Sequence, residues 1–181
     1  MSVKKSAAAL GMRYESAGDS AFKRAWSSIP EVSRSGKIEH IVFGRREGVE
    51  VTGFQYTMMV HTGQAPIIVQ RSIYSCETEL LPRTVIRPRN ALGRLLRSMG
   101  LGKGFATGDP RFDRHFRIDS EDDAFARDLL TDPVRAHVLE KHSVTWRFQD
   151  ARLCLIYPGK MRDSRIGKSF ERLLTMHRLI E

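Results

Sequence analysis

The chain has 181 residues, 41% of them hydrophobic and 8% aromatic, which is long and apolar enough for one folded domain with a full core. Its net charge of +9 favours anionic partners such as nucleic acid, an acidic lipid surface or an acidic protein. Cys76 and Cys154 lie far apart and form no CxxC pair, which argues against a disulfide framework and against a zinc site.

The location of the protein is predicted from what the sequence lacks. No apolar run approaches the roughly 18 residues that a membrane span needs, and the patch Ala7–Met12 is too weak for a signal peptide. Two reduced, buried thiols are typical of a cytoplasmic protein. We therefore expect a cytoplasmic location, with peripheral contact at the inner membrane left open.

Residues 1–30 are predicted to form an N-terminal helical arm, and residues 31–181 a single domain. In the arm, Ala7–Leu10 favours helix, and Phe22 and Trp26 lie four residues apart after the N-cap candidate Asp19.

Residues 37–79 predict a three-stranded meander with strands at Ile38–Phe43, Val49–Val60 and Ile67–Leu80. The connecting turns are short, so antiparallel pairing is expected. Gly53, inside the second strand, indicates a bulge or close packing.

The next segment predicts a short strand at Thr84–Arg87 and then a helix. Asn90 is a candidate N-cap, a leucine stripe follows, and Gly100 suits the position just after the last helical turn.

The stretch Phe112–Leu130 predicts a strand that runs directly into a helix. Its first half, Phe112–Ile118, alternates between apolar and polar residues. Ser120 and Asp123 have capping-box spacing and predict the helix start. Asp132 and Pro133 predict the N-cap and first residue of a second helix.

The C-terminal part predicts a hairpin, Val144–Phe148 with Leu153–Tyr157, and a last helix over about Ser164–Ile180. Strands and helices do not alternate as in βαβ units. The predicted class is therefore α+β: a mostly antiparallel sheet of about six or seven strands with flanking helices and a C-terminal helix.

Two basic segments are the candidate binding residues. The first lies between Glu79 and Asp109 and contains no acidic residue, and the second runs along the C-terminal helix. Both suit an anionic bilayer or a phosphate backbone. For the first segment, a leucine stripe in the core with the arginines in solvent is the more usual explanation, because most amphipathic helices pack against their own domain. The candidates are Arg83, Arg87, Arg89, Arg94, Arg97, Lys103, Arg162, Arg165, Lys168 and Arg172.

No catalytic residue, metal ligand set or cofactor is predicted. Gly167-Lys168-Ser169 resembles the end of a phosphate-binding loop, but Arg162 stands where a Walker loop needs glycine. Asp113 and His115 share one side of the predicted strand and are the best candidates for an unrecognised enzyme site.

A family resemblance covers most of the chain. The residues that carry it are Ile41-Val42-Phe43-Gly44, Phe54-Gln55-Tyr56, Leu81-Pro82, Phe112–Ile118, Leu129-Leu130 and Trp146. The chain resembles uncharacterised actinobacterial proteins with an F(D/N)RrFrV…LL…WrieG pattern, and more loosely the DUF3137 group. The resemblance implies a bacterial origin and supplies no catalytic residues. Some members of the group look membrane-associated, but this sequence has no hydrophobic anchor.

The sequence therefore predicts a non-catalytic intracellular interaction module whose basic surface engages the inner membrane surface or an acidic protein. One alternative is a non-specific nucleic-acid-binding protein, and another is an enzyme with a site near Asp113 and His115. The hypothesis of an interaction module depends on whether the two basic segments lie on one face of the molecule.

Overall fold

The computed structural model describes residues 2–32, 35–61, 63, 65–89 and 105–181. These residues form eight strands: β1 Arg13–Ala17, β2 Lys37–Arg46, β3 Val49–His61, β4 Pro66–Glu77, β5 Thr84–Pro88, β6 Phe116–Ser120, β7 Thr145–Gln149 and β8 Arg152–Pro158. All pair antiparallel in one sheet of order β1-β2-β3-β4-β8-β7-β5-β6. The α+β prediction is confirmed, with eight strands where about six or seven were expected.

Six α-helices accompany the sheet in the described residues: α1 Val3–Ala9, α2 Ser20–Ala25, α3 Pro110–His115, α4 Asp123–Leu129, α5 Asp132–Leu139 and α6 Ile166–Ile180. The C-terminal helix α6 packs on β4 and β8 and also contacts α1 and α5. A short 3₁₀ turn, Asp163–Arg165, leads into α6, so the helix starts two residues later than predicted.

Each face of the sheet carries its own core. On the α6 face, Tyr74 of β4 meets Phe170 of α6 edge to face, with ring centroids 5.2 Å apart. On the opposite face, Trp26 packs on Phe54 of β3 at 4.7 Å. Gly53 lies under α6, where an added Cβ would stand 2.9 Å from the Tyr74 ring. Its predicted role in close packing is confirmed.

The predicted meander is confirmed as β2–β3–β4, and β3 and β4 continue beyond their neighbours. At this end of the sheet, the last pair between β2 and β3 is Lys37 with Thr57, and the last pair between β4 and β8 is Arg71 with Pro158. The β3–β4 ladder extends further, to His61–Pro66. Residues 58–61 and 66–70 therefore form a two-stranded ribbon that projects from one end of the sheet.

The predicted helical arm at residues 1–30 contains a strand between its two helices. Tyr14 of β1 pairs with Val42, and its hydroxyl lies 2.9 Å from Nδ1 of His40. Val3 and Ala7 of α1 are buried in the α6-side core. The alternation of Arg13–Ala17 was too short to outweigh the helical signals on either side of it.

The prediction that a strand begins at Phe112 is wrong. Residues 110–115 are helix α3, and β6 begins at Phe116. Asp109 caps this helix by accepting hydrogen bonds from the backbone N–H groups of Arg111 and Phe112, at 2.9 and 3.2 Å. Pro110 at the helix start fixes a helical φ. Capping and proline geometry therefore decide against an extended chain here.

Two predicted helix starts are displaced. Asp122, and not Ser120, caps α4 through the N–H of Phe125 at 3.0 Å. The Ser120 hydroxyl instead bonds the Asp122 carbonyl and faces the Thr84 hydroxyl at 2.7 Å. Thr131, and not Asp132, is the cap residue of α5. The β7–β8 hairpin is confirmed, whereas the helix predicted from Asn90 to Gly100 lies outside the described residues.

Candidate functional site

Arg89 is not available for partner binding, contrary to its prediction as a surface cation. Only 8% of the residue is exposed. Its Nε donates to the carbonyls of Asp113 at 2.9 Å and of Phe116 at 2.8 Å. The side chain therefore holds the junction between α3 and β6 in place.

Arg83 and Arg87 are exposed, but both are ion-paired. Arg87 pairs with Asp119, and Arg83 lies 4.0 Å from Glu121. Ile86 belongs to the α6-side core, so alternation along β5 turns Arg87 to the opposite face of the sheet. Arg87 therefore shares no face with the basic residues of α6. Arg94, Arg97 and Lys103 lie outside the described residues.

The second basic segment supplies a group of available cations. Arg162, Arg165 and Lys168 are exposed, and none of them forms an ion pair within the described residues. Arg172 differs, since its guanidinium binds Glu140 at 2.9 Å and the His137 carbonyl at 3.3 Å.

Lys141 and Lys160 join this group, although they were not among the predicted site residues. Lys160 lines the same crevice as Arg162 and Arg165, and Lys141 lines a cleft with Arg165 and Lys168. We call Lys141, Lys160, Arg162, Arg165 and Lys168 the cationic cluster. The sequence signal that could have identified Lys160 is the Pro158-Gly159-Lys160 turn at the end of β8.

The loop that carries Lys160 and Arg162 is fixed by backbone contacts. Gly159 adopts φ of 89°, a left-handed conformation that suits glycine. Its N–H donates to the Gln70 carbonyl at 2.8 Å, and its carbonyl accepts from the Ser72 hydroxyl at 3.0 Å. The N–H of buried Met161 donates to Oε1 of Gln55 at 3.1 Å. The backbone is therefore held in place on both sides of Lys160.

A narrow crevice of about 60 Å³ lies beside this loop, at the start of α6. Its lining includes three hydroxyl-bearing residues that are almost completely buried: Tyr74 at 1%, Ser169 at 2% and Ser72 at 3% exposure. Burial raises the pKa of Tyr74, while the neighbouring Ser169 hydroxyl and Arg165 guanidinium act in the opposite direction. The Tyr74 phenol therefore stays protonated at neutral pH.

A wider cleft of about 480 Å³ adjoins the crevice and lies between α5 and α6. It shares Tyr157, Arg165 and Ser169 with the crevice. Its charge is mixed, because Glu140 and Glu171 line it together with Lys141 and Lys168.

An exposed apolar pair lies near the cationic cluster. Met59 and Ile68 face each other across the ribbon and are 57% and 62% exposed. Every second residue of β4 points to the same face of the sheet, and this set contains Ile68, Gln70, Ser72 and Tyr74. Tyr74 belongs to the α6-side core, so Ile68 also lies on the α6 face. Gln70, which binds Gly159, is about 7 Å from Ile68 along the strand. We call Met59 and Ile68 the apolar pair.

Asp113 and His115, the candidates for an enzyme site, have structural contacts. Asp113 is 7% exposed and accepts from the N–H and hydroxyl of Thr107 at 3.1 and 3.0 Å. The Nδ1 of His115 donates to the Arg111 carbonyl at 2.9 Å, and its ring stacks on His142. Neither residue lines the crevice or the wider cleft.

Other reactive groups are also held in the fold. Cys76 and Cys154 are buried and free, and burial raises the pKa of these thiols to about 12 and about 11. Across the described ranges, no group of three or more His, Cys, Asp or Glu side chains is placed to hold a metal ion. Nor does any helix in those ranges have the length and apolarity to cross a membrane.

No protein-family model matches the chain, and no curated protein matches it significantly. Among solved structures, the chain is similar to the crystal structure of the mycobacterial trehalose monomycolate transport factor A, TtfA. The two superimpose with a TM-score of 0.63 at 12% sequence identity, over 99% of this chain and 92% of that one. At this identity the likeness shows a shared fold.

Proposed function

We propose that this chain is a non-catalytic binding module that docks on an anionic membrane surface through the cationic cluster and the apolar pair. The observation that carries the proposal is a group of five cations without ion pairs in the described residues, whose Lys160 loop is hydrogen-bonded to the ribbon that carries two exposed apolar side chains on the same face. A bilayer interface offers a partner to both groups.

The physical basis is the layered chemistry of the bilayer surface. Basic side chains near an anionic leaflet contribute about 1 kcal/mol each, and the attraction weakens with salt. Met59 and Ile68 project from the end of the sheet, where their side chains reach the boundary between headgroups and acyl chains. A duplex nucleic acid supplies phosphates but no apolar phase, so the apolar pair favours the membrane.

The cellular setting is part of the same proposal. Two free, buried thiols suit the reducing cytoplasm, so we assign docking to the inner membrane surface on its cytoplasmic side. The structural neighbour is named a transport factor for trehalose monomycolate. A non-catalytic role within an actinobacterial transport system is consistent with that name and with the resemblance of the sequence.

Vesicle co-sedimentation tests the proposal. We expect binding to phosphatidylglycerol vesicles at low salt, weaker binding at high salt, and no binding to phosphatidylcholine vesicles. Met59→Ser with Ile68→Ser should weaken binding, because the apolar contact is lost. Leu80→Ser is the matched control, since Leu80 is 81% exposed and lies beyond Glu77, the end of β4 opposite to the ribbon.

Absence of binding to acidic vesicles at low salt would contradict the proposal. Binding to an acidic polypeptide alone would favour the acidic-protein alternative. Binding to any duplex DNA, falling steeply with salt, together with no vesicle binding would favour the nucleic-acid alternative.

A further inference from the structure

The crevice differs in charge from the clefts around it. Lys160, Arg162 and Arg165 line it, and no carboxylate does. The wider cleft next to it contains two glutamates that offset its cations. Three cationic residues around a small space attract an anion into it. The charge of the lining therefore indicates a site for a single anionic group.

The buried hydroxyls of the crevice provide a neutral donor as well. The Ser72 hydrogen is used on the Gly159 carbonyl at 3.0 Å. Tyr74 and Ser169 add two further hydroxyl groups to the lining. A hydroxyl group can donate its hydrogen to an acceptor that enters the crevice. Two hydroxyl groups and a rim of cations thus surround the same space.

The geometry suits a tetrahedral oxyanion. Its several oxygens can be shared among donors that approach from different sides, and arginine guanidinium groups bind phosphate in a forked, bidentate manner. A volume of about 60 Å³ admits one such group and excludes a larger ligand body, which would extend into the adjoining cleft.

We propose that the crevice formed by Tyr74, Ser169, Lys160, Arg162 and Arg165 binds one phosphoryl group, carried by a lipid headgroup or by a soluble phosphate ester. The proposal rests on the proposed function, because it names the group that part of the cationic cluster recognises. The crevice opens on the α6 face near the apolar pair, which is the position that a headgroup phosphate would occupy.

Two hydroxyl variants test this site. Tyr74→Phe removes one oxygen and keeps the ring that packs on Phe170, and Ser169→Ala removes the other member of the hydroxyl pair. Tyr14→Phe is the matched control, because Tyr14 lies on the edge strand β1 and its hydroxyl contacts His40 of β2. Each protein is titrated with inorganic phosphate and with glycerol phosphate at constant ionic strength, and backbone amide shifts are followed by NMR, with chloride as the comparison anion.

We expect saturable shifts in residues 159–169 with both phosphates and none with chloride. Tyr74→Phe and Ser169→Ala should each weaken phosphate binding by about tenfold, the usual effect of losing a hydrogen bond to a charged group. Tyr14→Phe should leave phosphate binding unchanged. Equal shifts with chloride, or no effect of either hydroxyl variant, would overturn the inference.

Vesicles separate the two sources of the phosphoryl group. Phosphatidic acid vesicles are compared with fatty-acid vesicles of equal surface charge, which present carboxylates only. Weaker binding of Tyr74→Phe to the phosphatidic acid vesicles alone supports a headgroup ligand. If both kinds of vesicle are bound equally well and Tyr74→Phe changes neither affinity, binding depends on surface charge alone. That result overturns the phosphoryl site and leaves the proposed membrane function in place. Tight binding of soluble phosphate with no vesicle binding supports the site and removes the membrane function.

Discussion

Arg147 carries its charge inside the protein, beside a glutamate from a distant part of the chain. The residue is 5% exposed, and its guanidinium binds Oε1 of Glu31 at 2.8 Å and Oε1 of Gln149 at 3.1 Å. The Glu31 carbonyl also accepts from Arg71 at 3.2 Å. Glu31 therefore fastens the segment after α2 to β7 and β4.

Removing this carboxylate should destabilise the fold. We expect Glu31→Ala to lower the free energy of unfolding by about 3 kcal/mol, since it leaves a buried guanidinium without its counter-charge. Urea denaturation gives the value. Glu50→Ala is the control, because the Arg45–Glu50 pair is exposed and such pairs contribute about 1 kcal/mol or less. Equal losses in the two variants would show that Glu31 is no more than a surface partner.

At the scale of elements, α3 shows why alternation alone misled. Phe112 and Phe116 are four residues apart, so they satisfy both a strand period of two and a helical period of four. Their rings lie 5.2 Å apart at the helix–strand junction. Asp109 and Pro110, just upstream, were the signals that favour helix. Where periodicity is ambiguous, the capping residues decide.

The Asp109 cap gives a prediction at this scale. Asp109→Ala should lower the free energy of unfolding by about 1 kcal/mol, because two helical N–H groups lose their acceptor. Asp109→Asn keeps an acceptor oxygen and should lose less. Thermal unfolding of both variants provides the comparison, and an equal shift in midpoint would argue against a capping role.

The candidate site was predictable only in part, for reasons that concern the whole molecule. Arg162, Arg165 and Lys168 follow from the pattern of a basic helix start. The crevice does not, because Tyr74 and Ser169 come from elements almost a hundred residues apart. Nor does the orientation of Arg87, which depends on β5 pairing between β7 and β6. Strand content was read from local alternation, but strand order depends on long-range pairing.

The two cores give a prediction for the whole molecule, because each contains one thiol. Cys76 lies on the α6 side and Cys154 on the other. Their pKa values are raised from about 9 to about 12 and about 11, so the folded state holds these protons more tightly than the unfolded chain does. The free energy of unfolding should therefore be unaffected by the thiols below pH 9 and fall as the pH rises above it.

The expected loss is about 1.4 kcal/mol per thiol for each pH unit above 9. Urea denaturation between pH 8 and pH 10.5 measures it. The double variant Cys76→Ala with Cys154→Ala is the control, because lysine and tyrosine titrations are common to both proteins. A smaller pH slope in the variant is expected, and identical slopes would show that the thiols ionise without unfolding.

The place of β8 in the sheet has a consequence for synthesis. β8 is the strand that joins β1–β4 to the trio β5, β6 and β7, and it spans residues 152–158. Without β8, the sheet is divided into two parts. The part β1–β4 has an unpaired edge at β4, and the part formed by β7, β5 and β6 has an unpaired edge at β7. The sheet closes only after Pro158 has been translated, so until then both edges are exposed to chaperones and to wrong partners.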